Sequence, residues 1–495
     1  MNYTVPFIRS FPHSIVAKLI WAPCLFFILA ALNGCSDDFL DEAPKEVAEE
    51  LFYNTAEEVE AAVNAIYSPI RYEYAEQIAV LDAHTDWGYG RGSRANYNDF
   101  QGFNSGNINV AGSRWNAFYQ SIRNANLVIR NAPNGNAITP AEIDLLVSEA
   151  KFMRALNYFI LVRNWGGIPL RTDTNLESID VPKSGATEVY DLIIADLVEA
   201  AAKLPTQPRN YGRPTSLAAK TMLSEVYLTL GSYAESAEMA LEVMDSNAFS
   251  LVAVTSVEDL QYDLFGPTLV SSTEEIFYFK YTRQTGQGNY LVNILNHPDT
   301  GLFNFGGAYA HYSDATNPFY VGWDDNDLRK ELWDQIDFGL GATTLVSKKY
   351  IDQQAVEVRG AGNDLPVYRY ADVLLLYAEA SARAVGAPTA EGMEALNMVH
   401  RRAYGQAVDT PSAFDYVLGD YSLDGFVDLV LRERAYEFIF EGKRWYDLKR
   451  TNKAAETILA VKGIDIAEKH YLWPIPVSEM DFNEALSPED QNPGY

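Results

Sequence analysis

Three glutamates carry the most chemical potential in this chain: Glu433, Glu437 and Glu441, spaced i, i+4, i+8 in a stretch of helical character. Two carboxylates can hydrolyse a glycosidic bond when they flank it across a cleft at about 5–10 Å. These three line up along one rod instead, where stacked like charges cost about a few tenths of a kcal/mol per pair unless cations intervene. Arg432, Arg434, Lys443 and Arg444 are interleaved with them. The pattern therefore predicts a structural ion-pair network that ties this helix to its neighbours. Other reactive constellations are missing from the sequence. None of the histidines, at 13, 84, 297, 311, 400 and 470, has another at i+4, and there is no HExxH, so no zinc site is expected. No GxSxG elbow, Walker A loop or EF-hand spacing occurs. Gly88-Tyr89-Gly90-Arg91-Gly92 is glycine-rich, but it lacks the strand before and the helix after that a phosphate cradle needs. The expectation is a protein with no catalytic residue and no cofactor, and with no metal ligands marked by spacing, although the abundant Asp residues leave a structural Ca²⁺ site open.

Aromatic residues form the other constellation. One cluster contains His84, Asp86, Trp87, Tyr89, Arg91, Arg94, Tyr97, Phe103 and Asn104. A second contains Tyr309, Tyr312, Phe319, Tyr320, Trp323 and Trp333, interleaved with Asp314, Asp324 and Asn326. Both lie in Gly/Asn-rich stretches without helical period, so many of these rings cannot be assigned to a core stripe. Rings on loops make flat platforms for the apolar C–H face of a sugar. Neighbouring Asn, Asp and Arg can bond its hydroxyls. The expected ligand contacts are Asp86, Trp87, Tyr89, Arg91, Arg94, Asn104, Tyr309, Tyr312, Tyr320 and Trp323. The same composition also suits a peptide, or loops packed on one another.

Helices must position these loops. Val59, Val63, Ile66 and Tyr67 repeat with helical spacing after Thr55, and Glu58 completes the form of a capping box. Amphipathic stretches occupy 114–130, 142–165 after Pro140, and 187–204. Residues 215–245 place Leu223, Tyr227, Gly231, Tyr233, Ala237 and Ala240 where a tetratricopeptide helix–turn–helix needs them. Gly231 is suited to end the first helix in the left-handed region, and the alanines are small enough for the second helix to press on the first. A second pair spans 370–402, with Tyr377, Ala378, Ala380 and Gly386 before the helix at 390–403. Such pairs cannot bury their apolar faces alone, so they should stack. Residues 249–366 between them read as loops and small hairpins, with a β-prone run at 275–281. Long irregular insertions on a helical frame tend to carry function.

The N-terminus is a targeting segment. Arg9 and Lys18 precede an apolar run at 19–32 that is too short to span a membrane. Leu32-Asn33-Gly34-Cys35 then resembles a bacterial lipobox, which makes Cys35 the lipidated first residue of the mature chain. Cys24, the only other cysteine, would be removed with the signal. Ser36-Asp37-Asp38 resembles a surface-export signal of Bacteroidetes lipoproteins. The organisation is then a signal peptide at 1–34, an extended leader at 35–54, a helical region at 55–248, an irregular insertion at 249–366 and a C-terminal helical region at 367–495. The formal net charge of −29 repels nucleic acid and anionic headgroups but permits a neutral ligand.

Several motifs in the right order resemble the SusD/RagB family of outer-membrane lipoproteins. They are Cys35 with Asp38-Phe39-Leu40-Asp41, WNAFYQSIRNANLVIR at 115–130, NWGGIPL at 164–170 and GRPTSLAAKTMLSEVYLTL at 212–230. LPVYRYADVLLLYAEA at 365–380, LRERAYEFIFEGKRWYDLKR at 431–450, LWPIP at 472–476 and the final NPGY complete the set. The resemblance implies an all-α fold of stacked tetratricopeptide pairs with an irregular, loop-rich binding face containing minor β structure. It implies a non-catalytic lid on a SusC-like TonB-dependent transporter, anchored by lipid at the cell surface, that captures oligosaccharides or polysaccharides, or in some branches peptides. Family glycan platforms arise near 82–104 and 290–333, where the two aromatic clusters lie. The 431–450 motif is implied to be framework, with Gly442 ending its helix and Trp445 and Leu448 docking the segment beyond it.

Overall fold

The computed structural model describes residues 52–100, 108–303, 305 and 311–495. The expected signal peptide and most of the leader, including Cys35, lie outside them. The first long helix, α1 (Ala56–Ala83), starts at the predicted capping box: Glu58 N donates to Thr55 Oγ1 at 3.2 Å and Thr55 N to Glu58 Oε2 at 2.9 Å. Next come α2 (Ile108–Asn131) and α3 (Pro140–Trp165), whose first residue is the proline that needs no N–H partner there. α4 (Ala186–Lys203) precedes the first tetratricopeptide-like pair, α5 (Ser216–Leu230) and α6 (Tyr233–Asp245). Gly231 joins that pair at φ +80°. Ser224 and Ser236 bond each other's backbone carbonyls at 2.9 and 2.8 Å, which locks the two helices together. The second pair, α7 (Tyr370–Val385) and α8 (Ala390–Ala403), repeats the device with Gly386 at φ +80°. Leu228 of α5 packs with Leu376 and Ala380 of α7, and Tyr233 and Ala237 of α6 close over them. The two pairs therefore stack, because neither could bury that face by itself. Further helices follow in the C-terminal part, among them α9 (Leu423–Glu437), α10 (Arg444–Arg450) and α11 (Ala454–Lys462).

The strands are short. β1 (Tyr89–Gly90), β5 (His311–Asp314), β6 (Trp333–Gln335) and β7 (Thr344–Ser347) form an antiparallel sheet in the order β1-β5-β7-β6. β2 (Ile168–Pro169) pairs with β3 (Lys183–Ser184), and β4 (Glu275–Phe279) with β8 (Leu365–Arg369). Residues Tyr53–Tyr495 make one compact unit.

Two local expectations need correction. The 249–366 segment does contain helices, among them Leu291–Leu295 and Pro318–Val321. They span one turn or so, too short to show a period in sequence, and an asparagine at the cap (Asn317) or just before it (Asn289) accepts from a first-turn amide. Asn289 Oδ1 accepts from Leu291 N at 2.7 Å, and Asn317 Oδ1 from Phe319 N at 2.8 Å. The other concerns the framework motif. α9 stops at Glu437 with Phe438 as its cap, and leads into a tight turn in which Phe440 (φ +55°) and Gly442 (φ +72°) are left-handed. Gly442 therefore shapes the turn and does not end the helix. Glu441 sits in that turn, off the rod that carries Glu433 and Glu437.

Candidate functional site

β5 alternates as a half-buried strand should: His311 and Ser313 point inward, while Tyr312 and Asp314 are half-exposed. β1 lies beside it with Tyr89 directly opposite Tyr312. The two phenol rings stack at 5.5 Å between centroids, 23° from parallel. Both remain partly open to solvent. The glycines flanking Tyr89 make this approach possible. A Cβ on Gly88 would lie 2.0 Å from Asp82 O, and one on Gly90 would lie 2.2 Å from Arg94 O. The glycine-rich run thus holds a strand tightly against a helix end and a 3₁₀ turn (Gly92–Tyr97). Gly90 N donates to Asn98 Oδ1 at 2.7 Å, and Ser313 Oγ to Trp87 O at 2.7 Å.

Polar groups from distant segments border the pair. Asn317 Nδ2 donates to Tyr89 OH at 3.1 Å and to Asp86 O at 3.0 Å. The Lys462 ammonium, from the last residue of α11, lies 4.5 Å from the Tyr89 ring centroid and donates to Gly88 O at 2.6 Å. Burial raises both phenols above their ordinary range, so each keeps its O–H at neutral pH. Burial pulls the Lys462 ammonium down to about 7, with Asp86 opposing. Between about 7 and the ordinary 10.5 the unfolded chain holds a proton that the folded chain has released. Stability attributable to this lysine therefore rises with pH across that window. Compared with Lys462→Met, the native chain should show an extra slope of up to one proton, about 1.4 kcal/mol per pH unit, in urea denaturation between pH 7 and 10. Equal slopes would mean that the ammonium is not desolvated.

The other expected contacts fare differently. Trp87 and Trp323 are core residues, 1% and 2% exposed. Trp87 packs edge-on against Phe440 and Trp333, at 4.9 and 5.8 Å. Trp323 lies flat on Tyr436 at 4.2 Å and donates its Nε1–H to Asp327 at 2.8 Å. Asp86 is buried and grips Arg444 in two bonds of 3.1 and 2.7 Å. Arg94 is spent on Glu76 in two bonds of 2.7 and 2.6 Å. All four are engaged by other protein groups, which ties the loops to the core. Apolar bulk and available partners drew them inward, which loop composition could not reveal. Arg91 is half-buried with its guanidinium 5.4 Å from the Phe338 ring. Tyr320 is half-buried under Lys330 at 4.7 Å. Asn104 and Tyr309 lie outside the described residues. Sequence reasoning missed Asn317 and Lys462. Asn317 carried a signal, an asparagine before a proline at a helix start, whereas nothing local marks Lys462.

Two family models match the chain: one described as SusD family over residues 277–495, the other as starch-binding associating with outer membrane over 38–228. The chain belongs to the SusD family. It is 28% identical to SusD-like protein P2 of Formosa agariphila over 512 residues, covering 94% of this chain and 98% of that protein. The structure superposes on a SusD homolog from Bacteroides thetaiotaomicron with a TM-score of 0.77 at 23% identity, covering 92% of this chain and all of that one. A laminarin binding SusD-like protein matches with a TM-score of 0.72 at 23% identity, over 90% of this chain and all of that one. Among the described residues no helix is long and apolar enough to cross a membrane.

The SusD motif at 431–450 carries the network that its sequence predicts, with different partners. Glu437 accepts from Arg369, Arg402 and Arg329, the last at 2.9 Å. Glu441 accepts from Arg369 and Lys349, and Glu433 pairs with Arg329 at 2.7 Å and His400 at 3.1 Å. The neighbouring cations serve elsewhere: Arg434 binds Asp447, Lys443 Asp372 and Arg444 Asp86. Burial alone would raise these carboxyls. The surrounding cations instead hold Glu437 well below the usual range, Glu433 at about 2, and Glu441 lowered. All three carboxylates are buried in ion pairs and line no cleft as a facing pair.

Proposed function

We propose that this SusD-family protein binds a glycan at the Tyr89/Tyr312 pair on the cell surface. In this reading Cys35 carries the lipid anchor, and the sugar passes unaltered to a SusC-like TonB-dependent transporter. The observation that carries it is the stacked, half-exposed tyrosine pair, set on a small sheet whose other large rings are turned into the core. Stacked phenols offer an apolar, electron-rich surface for sugar C–H groups and hydroxyls at its edge. Asn317 sits at that edge. Likeness to a laminarin binding protein and to a starch-binding family model supports a carbohydrate over other polymers. A lipid tether and a transporter partner would make transfer intramolecular, which raises the effective ligand concentration. The test is isothermal titration of the chain from residue 36 onward against laminari-, malto- and uronate-containing oligosaccharides. Saturable binding to one class is expected. Heat from none of them, with binding of extended peptides instead, would transfer the role to peptide capture.

A further inference from the structure

A cleft of about 380 Å³ opens between α9, α11 and the short helix Pro318–Val321. That volume lies in the range of ligand pockets, about 300–1,000 Å³. Its walls are mixed in character. Phe319 and Tyr436 pack edge-to-face at 5.1 Å at one end, and Leu431 lines it below. The exposed Arg432 and Ala460 and the half-buried Thr457 also line it, and the Lys453–Asp428 pair, at 2.9 Å, ties the residue that caps α11 to α9. A purely apolar guest would leave these polar groups unused, and a purely polar one would waste the rings. A pyranose chain presents both characters.

Two connections place this cleft next to the tyrosine pair. Asn317, which bonds Tyr89 OH, directly precedes Pro318 and Phe319 of the cleft wall. Val461 lines the cleft, and the next residue, Lys462, lies over the Tyr89 ring. Both links are one residue long and come from unrelated segments, so the two surfaces adjoin.

We infer that the cleft is a second subsite for the same oligosaccharide, so that the protein recognises an extended chain and not a single terminal sugar. The inference rests on the tyrosine pair being a glycan site. A chain held at the pair presents its next units to the cleft at high effective concentration, so the second contact adds affinity without a second bimolecular cost. Affinity should therefore climb with chain length until both subsites are filled.

The test uses laminari- and malto-oligosaccharides of two to seven units with the native chain, Tyr312→Ala, and two cleft-filling variants, Ala460→Trp and Thr457→Trp. Both cleft positions face solvent or its margin, and thermal midpoints check that each variant folds. In the native chain the longest oligomers should bind about tenfold or more tighter than the shortest. The cleft-filling variants should keep short-oligomer affinity within about twofold and lose that increment, while Tyr312→Ala weakens binding at every length. If folded cleft variants keep the full length dependence, or the native chain shows none, the cleft inference is overturned and the tyrosine site stands. If Tyr312→Ala binds like the native chain, or no oligosaccharide binds at all, the tyrosine reading falls and the cleft inference falls with it.

Discussion

Replacing Tyr89 and Tyr312 together by alanine should abolish measurable glycan binding and leave the fold intact. Each ring is half-buried, so truncation removes contact surface without opening a closed core cavity. A central binding residue of this kind is worth about 2 kcal/mol, or roughly 30-fold in affinity, when truncated. The single variants should each lose about that much, and the double variant should fall below detection in titration. The cost to the sheet is one cross-strand pair, about 0.2–1 kcal/mol. Trp87→Ala supplies the contrast. It removes a ring that is 1% exposed and packs between Phe440 and Trp333. That change should destabilise by about 3–5 kcal/mol, with binding lost only as the protein unfolds. Tight binding by the folded double tyrosine variant would show that the ligand sits elsewhere.

Glu437→Gln should destabilise the chain by about 3–5 kcal/mol in chemical denaturation. The carboxylate is the shared acceptor of Arg369, Arg402 and Arg329, which come from β8, α8 and the segment after the short helix at 318–321. Neutralising it leaves buried guanidinium groups facing one another, with only Glu274, Glu433, Glu441 and Asp327 left to compensate. Glu177→Gln is the control, because that carboxylate is 87% exposed in its pair with Arg130. It should change stability by less than about 1 kcal/mol. The pH dependence has a definite sign. The surrounding cations hold Glu433 at about 2 and Glu437 well below 4.5, so the stabilisation from both is complete above the ordinary carboxyl value of 4.5 and is lost progressively as pH falls beneath it. The native chain should lose stability steeply below pH 4.5, and Glu437→Gln should lose less over the same window. An unchanged midpoint in the variant would mean that the network is not what couples these helices.

Much of the frame could be read from the residues in order. The capping box at Thr55 and Glu58, Pro140 at a helix start, and the glycines at 231 and 386 are local devices, and each appeared where its chemistry placed it. Helical period and small residues located both stacked pairs, because a repeat must show the same apolar face to its neighbour. The glutamates of 431–450 announced an ion-pair network, since so many charges on an apolar stretch have no cheaper fate.

Only the tertiary structure decided which partners those glutamates take and which rings stay outside. Arg369 and Arg402 reach Glu437 from 68 and 35 residues away, while the adjacent Arg434 and Arg444 turn to Asp447 and Asp86. Trp87 and Tyr89 are two residues apart, yet one is core and the other half-exposed. Trp87 lies in the bend before β1, so its ring is not bound by the strand's alternation and turns into the core, whereas Tyr89 lies in the strand, where its register opposite Tyr312 leaves it facing water. Lys462 joins the site from the far end of the chain without any local mark. Local sequence determines elements because their hydrogen bonds and caps are local. The site depends on long-range packing, in which each ring or charge takes the most favourable partner that the whole fold brings near.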